Sequence, residues 1–333
     1  MAAYTAIDNP ELYFQTKAYT GDGNDDRDIV FDVTDTSLQP NFLWSARRDS
    51  GDNLSIYDSV RGDGKELRTA ESGAAYDRSD NIQALNSNGF QVGTDSQVNA
   101  SGGTYVSWAW KESATSGFDI VAFTGTGAAQ NISHSLSAKP EFIICKSRSA
   151  IGNWYTYHGA NTAAPETDFF QLQNTDATAD SAAVWNDTAP TTSVFTVGTT
   201  FDDGTTYIAY AFASKQGFSK FGSYTGNANA DGAFVYTGFR PAFVIMKNTA
   251  DGGAAWQLFD NKRNTYNQMT GRLFPNSGVA ENTDANNNID FLSNGFKMRT
   301  SNGDTNASGS VFIYIAFAEA PLVNSEGVPC NAR

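Results

Sequence analysis

Bulky apolar and small residues alternate with a period of two in three short stretches of the chain, and the three share one pattern. They are Gly103–Glu112 (GTYVSWAWKE), Gly204–Ser214 (GTTYIAYAFAS) and Gly309–Glu319 (GSVFIYIAFAE). Aligned on Tyr105, Tyr207 and Phe312, the bulky positions are Val106, Trp108 and Trp110, then Ile208, Tyr210 and Phe212, then Ile313, Ile315 and Phe317. Between them stand Ser107, Ala109, Ala209, Ala211 and Ala316, with Tyr314 as the exception. Side chains alternate across a strand, so each stretch predicts a strand with one bulky apolar face and one slim face. A helix competes as a reading for so short an apolar run. The glycine upstream, the period of two and the aromatic and β-branched content favour a strand. A slim face implies that something packs close against it.

The same spacing of about 100 residues runs through other marks. Tyr19-Thr20-Gly21 returns as Phe123-Thr124-Gly125 and Tyr224-Thr225-Gly226. Pro40-Asn41-Phe42 returns as Pro140-Glu141-Phe142 and Pro241-Ala242-Phe243, each leading into an apolar stretch: FLWSAR, FIICKS and FVIMKN. Proline suits a strand entrance, where its fixed φ starts the extended chain and no ladder bond needs its missing N–H. A second predicted strand ends in Asp58, His158 and Asp260. Asn88-Gly89 and Asn294-Gly295 carry the signal of a hairpin turn. Solenoid repeats are shorter, about 20–50 residues, whereas about 100 residues is the size of a whole β-sandwich. The expected fold is therefore all-β: three tandem, tightly packed β-sandwich or jelly-roll modules over 1–114, 115–216 and 217–323. The stretch 324–333 reads as a solvated C-terminal tail, and 1–18 as a polar lead-in anchored by Leu12, Phe14 and Phe31. The short connections between modules imply packing against one another.

Composition narrows the function classes. The chain has 333 residues, 40% hydrophobic and 13% aromatic, enough for sizeable cores. Its net charge of −14 comes without a basic stripe, which disfavours a nucleic-acid role. Two cysteines, Cys145 and Cys330, do not suggest a disulfide framework. The opening MAAYTAIDNPELYFQ lacks the pattern of a signal peptide, and no apolar run is long enough to span a bilayer. The expected route is synthesis in a host cytoplasm, without membrane insertion.

Longer stretches carry a family resemblance. AIDNPELYFQTKAYTGDG, GFDIVAFTGTGAAQNISHSLSAKPEFIICKSR, FGSYTGNANADGAFVYTGFRPAFVIMKN, FDNKRN, FLSNGFKMRTS and the closing NSEGVPCNAR resemble repeated modules in virion proteins of marine tailed phages. The resemblance covers almost the whole chain. It implies a β-rich, lectin-like structural module in tail fibres, baseplate parts or head decoration, and it brings no catalytic residues with it.

Candidate chemistry is sparse. His134 and His158 are the only histidines, and neither has a nucleophile and an orienting group beside it in sequence. No His/Cys cluster has zinc spacing. Asp22, Asn24, Asp26 and Asp28 alternate like the oxygen ligands of a calcium loop. Arg27 stands where such a loop needs glycine and Val33 where it needs a bidentate Glu, so a solvated acidic turn is the better reading. Arg61-Gly62-Asp63 spells an adhesion tripeptide, and Asn99-Ala100-Ser101 and Asn306-Ala307-Ser308 spell glycosylation acceptors; all three read as turns. Trp44, Trp154, Trp185 and Trp256 are the candidates for stacking on sugar, with burial in a core as the competing reading.

These readings favour a non-enzymatic structural protein of a tailed-phage virion, a surface-exposed tail appendage or fibre component. The alternatives are a head decoration protein, a carbohydrate-binding receptor-recognition module, and a polysaccharide depolymerase. No catalytic residue, metal or cofactor is assigned. The expected partners are other virion proteins, copies of the same chain and a host surface glycan.

Overall fold

A computed structural model describes residues 4–33 and 35–331, and it is all-β. Three large antiparallel sheets follow one strand order. The first runs Phe14–Thr20, Thr104–Trp110, Phe42–Arg47, Ser55–Asp58, Lys65–Arg68, Tyr76–Asp77. The second runs Phe118–Thr124, Thr206–Phe212, Phe142–Ser147, Tyr155–His158, Asp168–Gln171, Ala179–Asp180. The third runs Ser219–Thr225, Val311–Pro321, Phe239–Asn248, Gln257–Asp260. Each is faced by a smaller sheet. Arg27–Val30, Gly89–Val92 and Ile82–Asn86 form one; Gln130–Ser133 and Val194–Val197 the next; Phe234–Tyr236, Gly295–Met298 and Ile289–Leu292 the last.

The three alternating stretches are the second strands of the large sheets, and their two faces do different work. On the slim side, Ala109 packs with Leu43, Tyr57, Ile29 and Phe90, while Ala209 and Ala211 pack with Ile143, Cys145, Ile132 and Phe195. These are the sandwich interiors between a large and a small sheet, and small residues let the two sheets approach. Tyr314 is bulky at this face, and Gly222 is its register partner. A Cβ at Gly222 would lie 2.6 Å from the Tyr314 hydroxyl, so glycine makes the room.

The bulky face points the other way, into a core shared by all three large sheets. Trp110, Phe212 and Phe317 are in register with Phe42, Phe142 and Phe243. Rings from different sheets meet throughout: Phe42 and Tyr210 at 4.7 Å, Phe142 and Phe221 at 5.9 Å, Phe14 stacked on Phe317 at 5.5 Å. Those six in-register aromatics line an apolar cavity of about 20 Å³. An apolar void of that size stays dry. Matched residues from three sheets around one point give the chain an approximate threefold arrangement.

Some local expectations shift. The hairpins at Asn88-Gly89 and Asn294-Gly295 form, but Asn86 pairs with Gly89 and Leu292 with Gly295. The two turn residues are thus Ser87-Asn88 and Ser293-Asn294. The glycines serve the neighbouring strand: a Cβ would lie 2.1 Å from Ile29 O and 2.0 Å from Val235 O. Pro241 sits inside its strand, at a register irregularity, because that strand begins early at Phe239. Residues 324–331 are mostly exposed, and they are tied back to the body. Val323 bridges Pro329, Cys330 N donates to Leu322 O, and Ser325 N donates to Asp8 at 2.7 Å.

Candidate functional site

The polar groups that the sequence singled out converge on the three junctions between the large sheets. Asp58, at the end of its strand, is buried. Its carboxylate accepts from Val60 N at 3.1 Å, Arg61 N at 2.8 Å, the Arg61 guanidinium, and Tyr210 Oη of the second sheet at 2.6 Å. Asp260 repeats the set: Lys262 N at 3.0 Å, Arg263 N at 2.9 Å, Arg263 Nε at 2.5 Å, and Trp108 Nε1 of the first sheet at 3.1 Å. Each arginine also donates back to its own strand, Arg61 to Ile56 O and Arg263 to Leu258 O. Four donors on one carboxylate offset its desolvation.

The third junction keeps the geometry and changes the chemistry. The residue aligned with Trp108 and Tyr210 is Ile315, which has no donor. The strand-end residue there is His158, and Asn161 takes the arginine position. Ala160 N donates to His158 Nδ1 at 3.2 Å, so the proton sits on Nε2, which donates to Tyr314 O at 3.0 Å. The side chain that accepts at two junctions donates at the third. Burial pushes this imidazole down to about 4, a neutral ring in a place where a charge would be unpaired.

A second tier of contacts runs in one direction around the ring. Trp154 Nε1 donates to Arg68 O and Glu71 O, and Lys146 Nζ reaches Ser72 O and Gly73 O. The second large sheet is thereby hooked to the first. Trp256 Nε1 reaches Gln171 O at 3.4 Å and Lys247 Nζ reaches Thr175 O at 3.0 Å, hooking the third to the second. At the closing junction, Leu54 and Ala46 occupy the tryptophan and lysine positions. Arg48 and Thr69 act instead, the first on Glu281 at 2.8 Å and the second on Pro275 O at 2.6 Å. Both lysines are fully buried, and desolvation first of all pulls each down to about 8.

The four tryptophans proposed for sugar stacking are a correction. Trp44, Trp154, Trp185 and Trp256 are 4%, 0%, 2% and 0% exposed, so none has a ring face to offer. Trp44 lies in the shared core, Trp154 and Trp256 are the hooks, and Trp185 packs on Tyr157 inside the second sandwich. The Arg61 guanidinium is buried against Asp58 and cannot present an adhesion motif. Asn99 and Asn306 are fully buried and pin the loops after the first strands. Asn99 Nδ2 donates to Asn24 O at 2.7 Å and Asn306 Nδ2 to Asn229 O at 2.9 Å. Their carboxamides are not acceptors for a glycan. His134 is half-buried, its ring at 3.3 Å from Thr191 O.

The acidic turn at Asp22–Asp28 is spent on other partners. Asp22 accepts from Asn24 N and pairs with Arg27, Asp25 accepts from Gln83, and Asp28 from Asn86. Among the described residues no group of three acidic, histidine or cysteine side chains is placed to hold a metal ion.

One feature of the junctions carries no signal in the sequence. Glu112 leaves the first sheet and Asp119 enters the second, and their side chains are hydrogen bonded to each other. Burial first, and that bond second, push Glu112 up to about 7. The two residues flank a turn in which seven positions separate them, and nothing in their spacing announces the contact.

No curated protein and no solved structure is similar to the chain at a significant level. A family model does match residues 9–321, covering all three pairs of sheets, and the chain belongs to that family, described as Domain of unknown function (DUF7483).

Proposed function

We propose that this chain is a non-enzymatic structural component of a tailed-phage particle, a surface-exposed tail appendage that works by shape. The observation that carries the reading is where the polar side chains go. Asp58, Asp260, His158, Lys146 and Lys247, the buried groups best suited to chemistry, are each hydrogen bonded to a partner in a neighbouring unit, and the rest of their partners come from their own turns. They hold three units in one body and face no cleft. The resemblance to modules of marine-phage virion proteins supplies the setting. A rigid body with loops at its rim suits repeated display on a particle, where symmetric copies give avidity.

A head decoration protein is the second reading. Three matched sheets around one axis fit a threefold position on a shell as well as they fit an appendage. Mass spectrometry of purified particles tests the class: the chain should be present at a fixed ratio to the major structural proteins. Absence from particles, or release of reducing ends from host exopolysaccharide by the purified chain, would overturn it.

A further inference from the structure

The three junctions share a framework, but they differ at the rim. Between the second and third large sheets lies a groove of about 420 Å³ lined by Glu141, Ser214, Gln216, Lys220, Tyr236 and Tyr4. Strand register fixes the matching residues elsewhere. Where the third sheet meets the first, Ala242, Glu319 and Gln15 stand for Glu141, Ser214 and Lys220, and the space shrinks to about 40 Å³. Where the first meets the second, Asn41, Glu112 and Asp119 stand there. Asp119 is turned onto Ser135 N at 2.5 Å and onto Glu112. At the position of Tyr236 the other two small sheets carry Val30 and Ser133.

The geometry points to a binding site for a neutral pyranose residue of a glycan in this groove. Tyr236 is 46% exposed, so its ring offers an apolar face at the wall, and Tyr4 Oη lies 3.2 Å from its hydroxyl. Lys220 Nζ sits 5.3 Å from the ring centroid and gives one N–H to Tyr236 O at 2.8 Å. Its remaining N–H groups are available as donors. Glu141 Oε2 accepts from Ser214, and Oε1 takes no protein donor among the described residues. The exposed Gln216 carboxamide has no side-chain partner among them either, and adds both a donor and an acceptor.

Charge decides the ligand class. An anionic sugar would meet Glu141 on a chain of net charge −14, and a cation would meet Lys220. Hydroxyl groups, which both donate and accept, match a wall that mixes an ammonium, a carboxylate and an amide beside an aromatic face. The volume is that of a small-molecule site, and its openness to solvent suits one or two sugar units bound weakly and strengthened by many copies.

The test is saturation-transfer NMR on the full chain with methyl glycosides of neutral hexoses at millimolar concentration. Transfer to the ring CH protons of at least one glycoside is expected. Tyr236→Ala should weaken binding by about tenfold, roughly one lost contact of 1.4 kcal/mol. Phe234→Ala, exposed two residues away but outside the groove, should leave it unchanged and shows that the sheet stays folded. No transfer from any neutral glycoside, equal transfer in Tyr236→Ala, or stronger transfer to methyl hexuronates would overturn the site. The particle-composition measurement is independent of all these outcomes, so failure here leaves the structural role standing.

Discussion

Trp108 Nε1 donates to Asp260 Oδ2 at 3.1 Å although 152 residues separate them, and Tyr210 Oη reaches Asp58 Oδ2 over the same separation at 2.6 Å. Two donors of different chemistry thus serve matched carboxylates at matched junctions. Trp108→Phe keeps the ring in the shared core and removes the N–H. Asp260 keeps its arginine and backbone donors, so the expected loss is about 1.5–3 kcal/mol, the range for a hydrogen bond to a charged group. Urea unfolding of the full chain reads it. A loss below 0.5 kcal/mol on that scale would mean that the bond is incidental.

Removing the arginine should cost more. Arg263 is nearly fully buried beside Asp260, and Arg263→Met leaves a carboxylate in the interior without its counter-charge. A loss of about 3–5 kcal/mol is expected, against about 0–1 kcal/mol for an exposed pair such as Lys65 and Asp77. Denaturant unfolding of the two variants side by side makes the comparison.

His158 gives the fold an acid limit. Its folded value is about 4 against 6.5 in a free chain, so between those values the unfolded state binds more protons than the folded one. Its stability contribution is complete above 6.5 and is lost as pH falls towards 4, by about 3 kcal/mol in all. His158→Gln can keep a donor for Tyr314 O without the titration. The difference between the two stability curves should vanish as a pH-dependent quantity above 6.5 and open below it. Parallel curves from pH 4 to 7 would contradict the assignment.

Glu112 acts in the opposite sense. Its folded value is raised to about 7, so the folded state holds the extra proton between the ordinary glutamate range and 7. Its contribution is present at pH 4.5 and is lost as pH rises through 7. The side chain is partly exposed to solvent, so the effect is smaller than that of His158. Glu112→Gln should remove this neutral-pH decline in melting temperature while leaving the acid limb in place.

Much of this architecture was legible in the chain. The period of two with alternating bulk in GTYVSWAWKE named both the strand and its two unlike faces, because strand geometry leaves no other use for a slim side. The repeat spacing placed Asp58, His158 and Asp260 at equivalent strand ends, and all three end strands whose side chains hydrogen bond across a junction. What the sequence could not say is what each face meets. Trp154 and Trp256 look alike whether they stack on sugar or hook a neighbouring sheet, since the deciding carbonyls of Arg68 and Gln171 lie more than eighty residues away. Lys146 and Lys247 look like ordinary surface lysines until the neighbouring loop closes over them. The open groove at Tyr236 depends on four separate positions, Glu141, Ser214, Lys220 and Tyr236, each unremarked alone.

One shared core holds the three sandwich units as a single body. Differential scanning calorimetry of the full chain tests it most directly. One transition is predicted, with the calorimetric enthalpy equal to the van't Hoff enthalpy, because Phe42, Phe142 and Phe243 cannot leave the core independently. Two or three separable transitions, each with its own enthalpy, would contradict it.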